Sequence, residues 1–479
     1  MAKIALIGAG SVIWARRLMM DILSFPELAG STLSLMDIDP VRLHTAKQTV
    51  ERLVAQVRAP ARVEATLDRR EAVTGADYVI FAVQVGMHVA TLKDFEIPKR
   101  YGLRQTIADT LGVGGIFRGL RTIPVLLGLL RDMEAICPDA LLLNYVNPMS
   151  ILCLAAARAS SIQTIGLCHS VQGTSRQLAD YIGVPYDEVG YRVAGINHMA
   201  WFLDFTHQGK DAYPRLWEVL ESGRAPDWDR VRFEMMRRLG YFVTESSEHM
   251  AEYVPYFIKR DSLVHEFNIP LDEYVRRSEQ NLREFEETRV QVERGESLEV
   301  SRSHEYAAYI IRAIEANRDW SFNGNVPNSV DRRAAALISN LPADSVVEVP
   351  CLVNGAGVMP CPVGDLPPQL AGLNRSHISV HQLAVEAALT GNRDALYQAV
   401  MLDPHTASVL SLDEIWAMTD DLVEAHGEAL PRLTPRRLAG APGRPTVADR
   451  RPLPLVQPIP TAPVLPAPAA IQGVPVLVS

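Results

Sequence analysis

Residues 4–10 read Ile4-Ala5-Leu6-Ile7-Gly8-Ala9-Gly10, an apolar run broken by two closely spaced glycines. An uninterrupted apolar run is what a strand buried on both faces looks like, because neither face alternates toward water. Gly8 allows a tight turn, and Gly10 lets the backbone approach a pyrophosphate. A helix opening near Ser11 offers its N-terminal N–H groups to phosphate oxygens. A second run, Leu33-Ser34-Leu35-Met36, ends in Asp37. That is the spacing expected of a carboxylate on the ribose hydroxyls, and Asp rather than Arg favours NAD over NADP. Ile13 stands where a third glycine is usual, so the helix packs less closely or the turn differs in detail. The plain alternative is an ordinary strand–helix turn.

The pattern continues along the chain. Val79–Val83 reads as a third buried strand, Ala140–Val146 as a fourth and Thr164–Leu167 as a fifth, with helical stretches such as Ile116–Ile136 between them. Alternation of strand and helix implies an α/β fold, a Rossmann-like, doubly wound parallel sheet. In such sheets ligands bind beyond the carboxyl ends of the strands. Asn147 follows the fourth strand, and Cys168 and His169 follow the fifth.

Composition bounds the function. At 479 residues the chain is long enough for two domains. With 22% charged and 48% hydrophobic residues it has the make-up of an ordinary globular protein. A net charge of −9 argues against a nucleic-acid partner. No apolar run reads as long enough for a bilayer span, and the start of the chain reads as a strand rather than a signal peptide, so no membrane association is expected. Five scattered cysteines, an odd number, favour reduced thiols and a cytoplasmic location.

A thiolate and an imidazole are good transition-metal ligands, and Cys168 with His198 (in Gly195-Ile196-Asn197-His198-Met199) supplies both. Two protein ligands leave positions open for substrate oxygens, as a catalytic site requires. The paired spacing of a four-ligand structural zinc site is absent from the sequence. Taken singly, Cys168 is a small hydrophobe and His198 a hydrogen-bonded core residue. His169 is directed away from Cys168 if strand geometry persists, toward a substrate. Asn147 is a contact for a sugar hydroxyl or the nicotinamide, or caps the turn before Pro148. Asp109 precedes a glycine-rich turn and is otherwise a helix N-cap. The segment Glu245–Tyr253 is dense in titratable groups, and Tyr253 within it is either a base or a packed aromatic.

The chain resembles glycoside hydrolase family 4, and its α-galactosidase branch in particular. The resemblance rests on Ile7–Ser11, Met36–Pro40, Gln105–Thr110, Asn144–Met149, Cys168–Thr174, Ala194–Met199 and Tyr241–His249, with later matches at Gly324–Val326 and Asp403–Ala407. The family is an exception to the two-carboxylate scheme of glycosidases. The resemblance implies transient oxidation at sugar carbon 3 with NAD as hydride acceptor. Loss of the carbon 2 proton to a tyrosine, elimination of the aglycone from carbon 1, addition of water and return of the hydride follow. A divalent metal, usually Mn2+, holds the oxygens on carbons 2 and 3. Carried over, Cys168 and His198 match the metal ligands, His169 the acid and Tyr253 the base, with Tyr241 and Tyr256 close by in sequence. Asp109 matches a carboxylate that makes the tyrosine more basic, and Asn147 a substrate contact. Gly8, Gly10, Ser11 and Asp37 hold NAD. Cys168-His169-Ser170 resembles the branch acting on unphosphorylated α-galactosides, with α-glucosides and α-galacturonides as alternatives. A homodimer or homotetramer is implied.

The expected organisation is an NAD-binding domain over 1–195, an α+β substrate, catalytic and oligomerisation domain over 196–430 carrying Tyr253, and a Pro-rich, disordered tail over 431–479, its end (471–479) apolar enough to dock. A hydroxy-acid dehydrogenase of the malate type and a non-catalytic NAD sensor share the glycine turn. Neither needs a Cys–His metal pair.

Overall fold

The computed structural model describes residues 1–303, 305–329 and 335–438. The expected tail therefore lies outside the described residues beyond Leu438, as does the docking stretch 471–479. Six parallel strands form the first half of the sheet: β1 Lys3–Ile7, β2 Thr32–Met36, β3 Arg62–Thr66, β4 Tyr78–Phe81, β5 Leu141–Asn144 and β6 Thr164–Gly166. Their order is β3-β2-β1-β4-β5-β6, the dinucleotide-binding arrangement. The sheet is buried on both faces. Leu6, Leu35, Ile80 and Leu143 enter one core cluster, while Ala5, Ile7, Val79, Phe81 and Leu142 enter the other. That explains why these strands read as continuous apolar runs.

Sequence reading passes over β3, so the strand at Val79, expected as the third, is the fourth. The reason is physical. β3 is the edge strand, Arg-Val-Glu-Ala-Thr, exposed or half-buried throughout, and it carries no apolar run.

Six more strands extend the same sheet: β7 Val189–Ile196, β8 Met199–His207, β9 Lys210–Asp211, β10 Trp320–Pro327, β11 Val346–Asn354 and β12 Gly357–Pro360. β10 joins antiparallel to β6 at Asn325↔Gly166, and the order then runs β10-β11-β7-β8-β9, with β12 on β11. The second half of the chain thus adds its strands to the first sheet, and helices such as Ser247–Tyr253 and Pro368–Thr390 pack beside it. Residue 195 lies within β7.

Helix Gly112–Ile136 corrects one expectation. It is long and apolar enough to cross a bilayer by length and composition. Its apolar surface is spent inside the protein, with Ile116, Phe117, Leu120, Ile123 and Leu129 buried against the sheet and neighbouring helices. The helix also starts earlier than expected, with Leu111 at its N-cap, so Asp109 does not cap it.

Candidate active site

Two constellations lie beyond the carboxyl ends of the parallel strands. The first is the turn after β1. Gly8 has φ +97°, and a Cβ there would collide with the Ala82 carbonyl. The Gly10 N–H donates to Asp37 Oδ2 at 2.7 Å, and a Cβ on Gly10 would lie 2.5 Å from that oxygen. Glycine is required at both positions, by conformation at the first and by close approach at the second. The Asp37 carboxylate at the end of β2 is thereby fixed beside the turn, and Ser11 heads the helix Val12–Leu23. A cradle that a single Cβ would fill, with an acid at its rim, fits a dinucleotide.

The second constellation gathers residues distant in sequence. Cys168 follows β6 and is held by Tyr306, whose hydroxyl accepts from the Cys168 N–H at 2.9 Å and donates to the Cys168 carbonyl at 2.8 Å. His198 occupies the two-residue turn between β7 and β8 with φ +63°. Its Nδ1 lies 3.0 Å from the Tyr253 hydroxyl, and its Nε2 lies 3.5 Å from Glu245 Oε2. One ligand atom each of Cys168, His198 and Glu245 falls within 4.8 Å of the others; the same holds for Asp109, His198 and His249. The sequence candidates Cys168, His198, Asp109 and Tyr253 therefore meet at one place.

Asp109 is brought there by Glu252. The Glu252 carboxylate accepts the backbone N–H groups of Thr106 (2.7 Å) and Ala108 (2.8 Å), tying the loop to the helix that ends in Tyr253. Three non-glycine residues at the site, Ala108, His198 and Glu245, hold positive φ values of 52°, 63° and 73°. Each costs about 1–3 kcal/mol and persists only where the surroundings over-determine it. At Glu245 the restraint is visible. Its carbonyl accepts from Thr174 Oγ1 at 3.2 Å and from Arg232 Nη1, and the buried Arg232 guanidinium is paired with Asp229 at 2.6 Å.

The electrostatics divide the acids. Burial alone would raise Asp109, but Arg118 foremost, then His249 and His198, hold its carboxyl below the usual range. Against the same burial penalty, His198, His249 and His169 draw Glu245 down to about 2. Burial pushes Glu348 up to about 8, with Glu245 adding to the rise. Burial, then Glu245 and Glu348, pushes the Cys168 thiol well up, so the thiolate needs a cation beside it. Burial, then Asp109, Glu252 and Glu245, likewise pushes the Tyr253 phenol well up.

His169 and Asn147 lie around this centre. The His169 ring is half exposed while Cys168 is buried, so the two side chains diverge, and His169 Nδ1 lies 3.6 Å from Glu305 Oε1. The Asn147 carbonyl accepts from Arg118 Nε at 3.1 Å, and its buried Oδ1 has no partner among the described residues. Neither amide atom of Asn197 has one, nor does either oxygen of Glu348. Buried polar atoms are normally satisfied, so these atoms are open to a polar ligand. Of the neighbouring tyrosines, Tyr256 is exposed and Tyr241 stacks edge-on against Tyr213.

Glu245, His249 and Glu348 were not singled out in the sequence. The titratable density of 245–253 was the available signal for the first two. A glutamate inside the apolar strand Val346-Val347-Glu348-Val349 was the signal for the third.

Known proteins match the chain over most of its length. A family model described as "Family 4 glycosyl hydrolase" matches residues 3–184, and its C-terminal domain matches 193–406. The α-galactosidase of Bacillus subtilis (strain 168) is 48% identical over 435 residues, covering 90% of this chain and 99% of that one. The α-galactosidase of Rhizobium meliloti (strain 1021) is 36% identical, covering 90% and 89%. Among solved structures, a 6-phospho-α-glucosidase from gut microorganisms in complex with NAD and Mn2+ superposes with TM-score 0.77 at 21% identity, over 90% of this chain and 100% of that one.

Proposed function

The chain belongs to family 4 of the glycosyl hydrolases, and from that premise we propose that it hydrolyses unphosphorylated α-galactosides with NAD and a divalent metal, Mn2+ by preference. The observation that carries the reading is the meeting of a thiol, an imidazole and a phenol: His198 stands 3.0 Å from the Tyr253 hydroxyl and offers a ring nitrogen near Cys168. The substrate class is supported by the two α-galactosidases at 48% and 36% identity. The four buried free thiols and the exposed Cys361 support a reducing, cytoplasmic setting. A homodimer or homotetramer belongs to the same proposal.

Held at Gly8, Gly10, Ser11 and Asp37, NAD supplies a reversible hydride acceptor for sugar carbon 3, and a divalent cation at Cys168 and His198 supplies Lewis acidity toward the oxygens on carbons 2 and 3. The residues do the rest. A ketone at carbon 3 acidifies the hydrogen on carbon 2, and Tyr253 Oη removes it. With His198 Nε2 used as a ligand, the proton of that ring sits on Nδ1 and is donated to Tyr253, which favours the phenoxide. The high proton affinity conferred by burial and Asp109 makes that phenoxide a strong base. His169 gives its proton to the departing glycosidic oxygen, and Asn147 orients the sugar. Water addition at carbon 1, reprotonation at carbon 2 and reduction at carbon 3 complete a net hydrolysis.

A panel of p-nitrophenyl α-galactoside, α-glucoside and α-galacturonide, each with NAD, Mn2+ and a reductant, tests the substrate class. The galactoside is expected to give the highest kcat/KM. A preference for the glucoside or galacturonide overturns the sugar assignment and leaves the mechanism standing.

A further inference from the structure

We propose that Glu245 is a third protein ligand of the catalytic cation, completing a Cys–His–Glu set with Cys168 and His198; this rests on the metal reading above. The Glu245 side chain is largely buried, and a buried carboxylate needs a cation or several donors. Its nearest partners are imidazoles, His198 Nε2 at 3.5 Å and His249 Nδ1 at 3.6 Å. Both distances exceed those of a charge-assisted hydrogen bond. Both rings also have closer partners on their Nδ1 atoms, Tyr253 at 3.0 Å for His198 and Ser246 Oγ at 2.6 Å for His249. The carboxylate is thus ringed by imidazoles, and neither ring meets it at hydrogen-bond length.

Geometry points to what fills the gap. Cys168, His198 and Glu245 each offer a donor atom within 4.8 Å of the other two, a spacing that a single ion with bonds of roughly 2.0–2.3 Å spans. The competing set, Asp109 with His198 and His249, is less available. Thr110 donates to Asp109 Oδ1 at 2.6 Å, and His249 Nδ1 already has Ser246. The backbone at Glu245 is held at φ +73° by Arg232 and Thr174 on its carbonyl. With the backbone so held, the Glu245 carboxylate lies 3.5 Å from His198 Nε2 and within 4.8 Å of Cys168. A thiolate and a carboxylate together neutralise a divalent ion, and the carboxylate supplies the oxygen donor that manganese prefers over an all-soft set. The 16% of the Glu245 side chain left exposed leaves a side of the site open to a sugar.

The test is Mn2+ binding to the full chain stripped of metal, followed by electron paramagnetic resonance of the free ion, with NAD affinity measured in parallel as a check of folding. Glu245→Gln is expected to weaken Mn2+ by more than about a hundredfold, beyond the loss that an outer-shell partner brings, and a smaller loss assigns Glu245 to the outer shell and overturns the third ligand. NAD affinity should be unchanged and Glu245→Asp should recover part of the loss. Wild-type Mn2+ affinity in Glu245→Gln, with Cys168→Ser weakened, overturns the third ligand alone. Wild-type affinity in both variants shows that the cation does not sit at Cys168, and then the metal reading itself fails.

Discussion

Stripping the enzyme of NAD and chelating its metal lowers α-galactoside hydrolysis by about a thousandfold or more, and neither NAD nor Mn2+ alone restores it. The expectation follows from the charge states of the acids at the site. A two-carboxylate glycosidase needs one protonated acid beside a carboxylate, both reaching the scissile bond. Asp109 and Glu245 are both held ionised by the imidazoles and, for Asp109, by Arg118, so neither donates a proton. Glu348 holds a proton near neutrality but is fully buried within β11. Glu252, pushed by burial up to about 7, is taken up by backbone N–H groups, and Glu305 is buried behind His169, which leaves a half-exposed imidazole, His169, and a phenol, Tyr253. A phenoxide abstracts a sugar C–H proton only after that hydrogen has been acidified, and it forms only while a cation offsets the carboxylates around the ring. The first condition depends on NAD and the second on the metal, so the two requirements do not substitute for each other. Hydrolysis assayed after gel filtration with chelator, then with each component returned singly and together, checks it. Full activity without either would refute it.

Tyr253→Phe is expected to lower kcat by about 10²–10⁴-fold, the usual contribution of a general base, while NAD binding stays near wild type and Mn2+ binding weakens by about tenfold, since the hydroxyl is the partner of a metal-holding imidazole. The hydroxyl is the only group removed, and at the site it meets His198 Nδ1 at 3.0 Å and the Thr110 side chain. Losing it leaves a buried imidazole nitrogen without its partner, at about 1–3 kcal/mol, so a modest fall in stability accompanies the fall in rate. Tyr241→Phe and Tyr256→Phe serve as controls, since one ring stacks on Tyr213 and the other faces solvent. Both should retain activity within a few-fold. Steady-state kinetics on the three variants separate the roles, and an inactive Tyr256→Phe beside an active Tyr253→Phe would reassign the base.

How much of this was legible in the sequence depended on how local the signal was. β1 and β2 announce themselves because strands covered on both faces must be apolar throughout, and the glycines between them are required by a positive φ at Gly8 and by the Asp37 carboxylate at Gly10. Cys168 stood out because it follows a strand end. The edge strand β3 was hidden because its residues face both water and core. The joining of β10 to β6 was hidden because it is a pairing across more than 150 residues with a single register point. The role of Glu245 was unreadable for the same reason. Its density of acidic and histidine neighbours was visible, but which of them faces His198 depends on a strained backbone held by Arg232 and on a hairpin turn about 47 residues upstream. Glu252, similarly, reads as another charge in a helix until its carboxylate is seen holding the loop of Asp109.

The most direct measurement is a competition between unlabelled α-galactoside and the same substrate carrying deuterium at carbon 2 or at carbon 3, read as the isotope effect on kcat/KM. Oxidation at carbon 3 and proton removal by Tyr253 at carbon 2 predict a primary effect at both positions. Discrimination at neither position, with hydrolysis proceeding, would mean that the glycosidic bond breaks by direct displacement and that the Cys168–His198–Tyr253 centre does not act as described.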